Sequence, residues 1–282
     1  YFFRIDDACK GEPLAKHDWL ARTGRLIDAI GQDAFSSVLS AGLREIAPFD
    51  YTVIFGYLGS ERPLDLYDDF PPETRRVFVE DYQEGPYLLD PFFLACMNGT
   101  PPGLWRLREI APDRFRQGEY FRNYYVQTGL AEEVCYLVYL EDKTSLAISL
   151  MRRRKAFTLG EVAALKAVWP VVDAASRRHW QGLSSRFCGS SAMGSQHILA
   201  DTIAQAFDAI GEGVLTARER QVVEYTLKGH SADSIGEILE ISPGTVRIHR
   251  RNIYAKLRIG SQGELFSRFI AALVGSRVHS DP

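Results

Sequence analysis

Four capping residues at short intervals near the C-terminal end, Thr216, Ser231, Ser242 and Ser261, cut Leu215 to Val274 into four short helices. Each hydroxyl is placed to accept a hydrogen bond from an amide that the first helical turn leaves unsatisfied. Thr216 with Glu219, and Ser261 with Glu264, have the three-residue spacing of a capping box. Gly229 closes the first helix, and Pro243 stands in the first turn of the third, where a missing amide donor costs nothing. The apolar sets are Val222, Val223, Tyr225 and Leu227 in the first helix, then Ile235, Ile238 and Leu239, then Val246, Ile253 and Leu257. Helices this short are marginal alone, so they are expected to bury one shared core as an all-α four-helix domain.

The third of these helices carries the charge signal. The chain as a whole has a formal charge of −3, so a basic surface for a polyanion has to be local. Pro243 to Arg258 holds Arg247, Arg250, Arg251, Lys256 and Arg258 with no acidic residue. Glu61 to Asp90, in contrast, carries nine acidic residues against three basic ones. Arg247, Arg250 and Arg251 lie off the apolar stripe and point towards a groove or its phosphate rims. A guanidinium near the start of a short helix suits the major groove, where it donates two hydrogen bonds to guanine. A solvated basic face is the alternative for a charge run taken alone; the capped helical context favours DNA.

At 282 residues with 46% apolar composition, the chain is long enough for two packed domains. Residues 181–197 include the Gly/Ser-rich stretch QGLSSRFCGSSAMGSQ and are read as a flexible linker. They separate a ligand-sensing and dimerisation domain, 1–180, from a DNA-binding domain, 198–282, whose first helix is expected from Ile198 to Ala209. In the first domain, helical spacing is expected over Asp18–Gln32, Asp33–Ala47, Pro72–Gln83, Leu88–Met97, Gln117–Thr128 and, capped by Thr158, to Trp180. Strands are expected at Tyr51–Leu58, Leu64–Tyr67 and Leu104–Leu107, and as a hairpin of Glu133–Leu140 with Ser145–Met151. The fold class is therefore an α+β domain, an antiparallel sheet flanked by helices, followed by the four-helix domain.

Cys9, Cys96, Cys135 and Cys188 are scattered without ligand spacing, so reduced thiols and no metal or cofactor are expected. No apolar run approaches a membrane span and the start does not read as a signal peptide, so a cytoplasmic protein without membrane partners is expected. Nucleophile elbows, phosphate-cradling loops and zinc-protease motifs are missing, which argues against an enzyme. Asp68-Asp69 and Glu132-Glu133 are adjacent acids, read as solvated.

The stretch LTARERQVVEYTLKGHSADSIGEILEISPGTVRIHRRNIYAKLRI resembles the LuxR-type helix-turn-helix almost end to end. That resemblance implies base-edge contacts from Arg247, Ile248 and Arg251 and phosphate contacts from Thr245 and Lys256. It also implies a homodimer paired through the fourth helix, reading double-stranded DNA at a palindromic operator. More faintly, Phe35 to Val172 is similar to the autoinducer-binding domain of quorum-sensing LuxR regulators, through FDYTVIFGYL, YQEGPYLLDPFF, PPGLW, TGL and LAISL. This likeness puts a small-molecule effector against Asp90 and Trp105, with Tyr82 and Ser149 as further polar contacts. A polar or cationic effector suits the surplus of carboxylates and aromatics better than an acyl-homoserine lactone. Asp90 before Pro91 is equally a turn cap, and Trp105, Phe92, Phe93, Phe121, Tyr124 and Tyr136, taken singly, are residues more often found in a core than in a ligand wall. The alternative function is a ligand-independent regulator whose first domain dimerises or contacts another protein.

Overall fold

A computed structural model describes residues 14–59, 61–126, 129–140, 143–188 and 213–278. The helix expected from Ile198 and most of the expected linker lie outside the described residues.

The first domain is built on a five-stranded antiparallel sheet of β1 (Tyr51–Leu58), β2 (Leu64–Asp68), β3 (Gly103–Arg106), β4 (Glu132–Tyr139) and β5 (Thr144–Arg152). The strands lie in the order β2-β1-β5-β4-β3. β4 and β5 form the expected hairpin, with pairing from Tyr139 opposite Ser145 to Glu132 opposite Arg152. Alternation of side chains across each strand creates two buried faces. Ile54, Val134, Tyr136, Val138, Ile148 and Leu150 face a layer made by α1 (Leu14–Asp28), α2 (Phe35–Ile46) and, later in the chain, α5 (Leu159–Ala167) and α6 (Trp169–His179). Val53, Phe55, Tyr57, Cys135, Leu137, Ala147 and Met151 face the opposite layer. There lie α3 (Pro72–Arg75), which continues as a π-helical turn over Arg76–Asp81, then α4 (Pro91–Met97) and the segment around Phe115–Tyr125.

Prolines account for two departures from the expected elements. The helix from Thr158 to Trp180 is two helices, α5 (Leu159–Ala167) and α6 (Trp169–His179), because Pro170 cannot donate to the ladder and crowds the turn before it. The helix expected from Leu88 starts at Pro91: a 3₁₀ turn covers Pro86–Leu89, and Asp90, held extended by the following proline, caps α4. In place of the regular helix expected over Gln117–Thr128, the described residues hold a 3₁₀ turn at Phe115–Gln117 and a π-helical turn at Phe121–Tyr125. Past Trp180 the chain stays packed: Leu183 and Phe187 are buried against the α1/α2 side of the core, and Ser184–Cys188 is helical.

The second domain holds α7 (Ala217–Lys228), α8 (Ala232–Leu239), α9 (Pro243–Leu257) and α10 (Gln262–Val278). The caps sit as the spacing requires. Thr216, Ser231 and Ser242 accept from the amides of Glu219, Ser234 and Thr245, and Ser261 accepts from that of Glu264. Gly229 ends α7 with φ +95°, a conformation glycine adopts without side-chain strain. Val222, Val223, Ile235, Val246, Ile253, Leu257 and Phe269 form the shared core. Ile238, expected inside, is 43% exposed on the outer side of α8. No helix among the described residues is long and apolar enough to cross a membrane.

Candidate nucleic-acid interface and ligand cavity

α9 turns its apolar stripe inward and leaves Arg247, Ile248, Arg251 and Lys256 exposed, with Thr245 half-buried in its first turn. Arg247 and Arg251 are four residues apart and so project from one side of the helix, about a turn from each other. Arg247 stands 3.9 Å from Asp233, but both side chains are more than 60% exposed, so this pair restrains it little. Arg250 does not join them. Its guanidinium turns back across the domain, Nε donating to Thr226 Oγ1 at 3.1 Å and Nη2 to the His230 carbonyl at 2.9 Å. Lys256 Nζ donates to Glu219 Oε2 at 2.7 Å, the same oxygen that accepts the Thr216 amide, so it ties α9 to the cap of α7. Arg247, Ile248 and Arg251 are thus exposed without such a tie, Lys256 is exposed but bonded to Glu219, and Arg250 is a structural strut.

The first domain encloses a cavity on the sheet face opposite α1 and α2. Val53, Phe55 and Tyr57 of β1, Ser149 and Met151 of β5 and Glu133 of β4 make its floor; Val77, Phe78, Tyr82, Asp90, Tyr120 and Tyr125 make its walls. Its volume is about 40 Å³, room for about three water molecules. Asp90, Tyr82 and Ser149 are brought together here as the residues suggested. Asp90 accepts from its own helix, Phe92 N at 2.9 Å, and from Tyr82 Oη at 2.6 Å, and Tyr82 is hydrogen-bonded in turn to Tyr57 at 2.9 Å. Capping and polar display are therefore both served by one carboxylate. Trp105 is not at the cavity. It lies on β3, the edge strand beyond β4, and its indole N–H donates to the Pro101 carbonyl at 2.8 Å. The cavity floor is centred on β5 and β1, two and three strands away.

The Glu132-Glu133 pair is not solvated. Both residues are buried, and strand alternation sends them to opposite faces. Glu132 meets Arg106, accepting from Nε at 2.7 Å and from Nη2 at 2.8 Å, and also accepts the Phe157 amide at 2.6 Å. Glu133 lies in the cavity beside Ser149. Asp68 and Asp69, also read as solvated, pair with Arg75 and Arg44. Glu133 was legible only as an acid at an inward position of an otherwise apolar strand.

Burial, together with repulsion from Asp90, pushes the Glu133 carboxyl up to about 8, while the Ser149 hydroxyl pulls the other way. Burial also raises Asp90, to about 6, against the opposing hydrogen bonds from Tyr82 and Phe92; the two acids titrate as a pair. A carboxyl whose pKa is raised by folding binds more protons in the native state, so its contribution to stability is full below the unfolded value and lost as pH rises. The expected result is that Glu133→Gln gains stability over the parent chain as pH rises from 4.5 to 8 and levels off above, measured as the difference in denaturant midpoint. A difference independent of pH would remove Glu133 from this role.

The two domains meet along Asp113–Arg122. The Arg114 amide donates to the Gly229 carbonyl at 3.0 Å, and the Ser231 amide donates to Asp113 Oδ1 at 3.0 Å. Gly229 comes so close to Phe115 that an added Cβ would lie 3.0 Å from its Cα. The Phe115 ring meets those of Tyr120 and Tyr125, both cavity-wall residues, at 5.9 Å. One segment therefore touches the cavity on one side and the helical domain on the other.

Comparison with known proteins gives a consistent set of likenesses. Residues 213–269 match the family described as bacterial regulatory proteins, luxR family. The HTH-type transcriptional regulator of the exeN 3′ region of Aeromonas salmonicida is 37% identical over 191 residues, covering 67% of this chain and 97% of that protein. The monoamine regulon transcriptional regulator of Klebsiella aerogenes is 23% identical over 244 residues, 86% of this chain and 93% of its own. Among solved structures, the VqsR LBD domain from Pseudomonas aeruginosa is 27% identical with a TM-score of 0.49, covering 59% of this chain and 96% of that one.

Proposed function

The chain belongs to the LuxR family of bacterial regulatory proteins, and from that premise we propose that it is a homodimeric regulator of transcription under small-molecule control. Membership makes it a DNA-binding helix-turn-helix regulator. In the proposed reading, Arg247, Ile248 and Arg251 contact base edges in the major groove. Thr245 and the remaining donors of Lys256 contact phosphate, and phosphate contacts fix the register. Arg250 supports the reading helix from behind. The observation that carries this assignment is the exposure of Arg247, Ile248 and Arg251 along one side of a capped helix whose opposite stripe, Val246, Ile253 and Leu257, is buried in the core. One such module makes too few contacts for tight binding at physiological salt, which favours a dimer on a two-fold operator.

The cavity is the site for the effector, a few polar groups in an aromatic enclosure. The route to the reading heads runs through Asp113–Tyr125, since an occupant that moves Tyr120 or Tyr125 shifts the segment on which Gly229 and Ser231 rest. An effector acts only through unequal affinity for the docked and released arrangements.

The test is selection from a random duplex library by the full chain. An inverted repeat with half-site centres spaced by about 10 bp or a multiple is the expected product. Enrichment of no sequence, or of a single half-site, would refute the dimeric reading. Asp113→Ala, which loosens the docking without touching the cavity, should change operator affinity in the absence of any effector; an unchanged affinity would refute the route.

A further inference from the structure

Strand β4 supplies its own control experiment. Its two neighbouring glutamates are equally buried, yet only one has a cation. Glu132 is met by the Arg106 guanidinium with both nitrogens. Glu133, 5% exposed, is met by a serine hydroxyl, and Asp90 by a tyrosine hydroxyl and a backbone amide. Among the described residues that line their cavity there is no lysine, arginine or histidine. Buried carboxylates elsewhere in the described chain follow the rule for low-dielectric surroundings, Glu219 holding Lys256 as Glu132 holds Arg106. The cavity instead holds two acids side by side, buried Glu133 and half-buried Asp90, with no such partner among its described lining residues.

We infer that the missing positive charge is brought by the occupant, so that the cavity takes a compact organic cation, a protonated amine or quaternary ammonium compound, seated between Asp90 and Glu133. This rests on reading the cavity as the effector site and names the class of effector. The walls suit such a molecule: Phe55, Tyr57, Phe78, Tyr82 and Tyr120 line the cavity, and aromatic rings attract cations most strongly where water is excluded. Phe55 and Tyr82 already stack at 4.8 Å, giving a flat surface to an alkyl or aryl remainder. Asp90 is held by Tyr82 and Phe92, and Glu133 by the register of β4 against β5, so both acids are preorganised. The small free volume favours a compact molecule over a long acyl chain. A neutral occupant would leave Glu133 protonated beside Ser149 as a simple polar contact; in that case glutamine at 133 would serve as well.

The experiment is thermal shift and calorimetry on the full chain at pH 7 with ethanolamine, putrescine, choline and 2-phenylethylamine. Each is set against an uncharged alcohol of similar shape, with N-octanoyl homoserine lactone as the neutral family-type probe. At least one cation is expected to raise Tm and to bind about tenfold or more tightly than its alcohol. Glu133→Gln is expected to lose about tenfold or more of that affinity while melting no lower than the parent chain. Equal binding of cation and alcohol, a cation-induced shift that survives Glu133→Gln, or a response to the lactone alone would overturn the cation and leave a small-molecule site standing. Flat curves for every probe would overturn both.

Discussion

Replacing Arg247 and Arg251 together with alanine should abolish discrimination between operator and random duplex while leaving the domain folded. Each guanidinium that pairs bidentately with guanine contributes roughly 1–3 kcal/mol of discrimination. Losing two therefore weakens specific binding by roughly 30-fold to 10⁴-fold. Non-specific affinity, set by phosphate contacts, falls far less. Both side chains are exposed on α9, and exposed substitutions away from caps and cores usually change stability by under about 0.5 kcal/mol. Arg250→Ala is the contrasting case. It removes the donors to Thr226 Oγ1 and the His230 carbonyl, so it should lower the unfolding free energy by about 1–3 kcal/mol and affect DNA binding through the fold. Titration of operator and scrambled duplexes, with urea unfolding of the same variants, checks both. Retained discrimination in the double variant would remove α9 from base reading.

The second large effect is expected at the Arg106–Glu132 pair. Arg106→Ala leaves Glu132 buried with only the Phe157 amide as partner and frees the Phe157 carbonyl that Arg106 Nη2 holds at 2.9 Å. Breaking one side of a buried pair costs about 3–5 kcal/mol because the other charge stays uncompensated. For a domain of this size that lowers Tm by roughly 6–20 °C. Combining Arg106→Ala with Glu132→Ala should cost less than the sum of the two single changes, since the orphaned charge is gone. Calorimetry of the full chain measures all three. A single-variant loss below about 1 kcal/mol would mean that water reaches the pair. The same strand then gives opposite outcomes at adjacent positions: neutralising Glu133 stabilises at pH 8, and stranding Glu132 destabilises.

Which features were open to the residues alone follows from how far each depends on neighbours in sequence. The caps at Thr216, Ser231, Ser242 and Ser261 bond within three residues, so spacing alone located α7 to α10. Binary patterning placed the strands and their α+β packing for the same reason. The prolines at 91 and 170 also act locally, yet the expected helices ran through both rings, whereas α4 starts at Pro91 and α6 at Trp169. Rotation about a helix axis and position across a sheet are different, because they are set by partners far away in the chain. Arg250 is a strut because Thr226 and His230 lie beneath it, and its sequence neighbours Arg247 and Arg251 give no sign of that. Trp105 misses the cavity because β3 pairs with β4 at the sheet edge, and Glu133 enters it because the register with β5 turns that residue inward. Local chemistry determined which elements form; only long-range packing decided which charges they bury and which they leave for a partner.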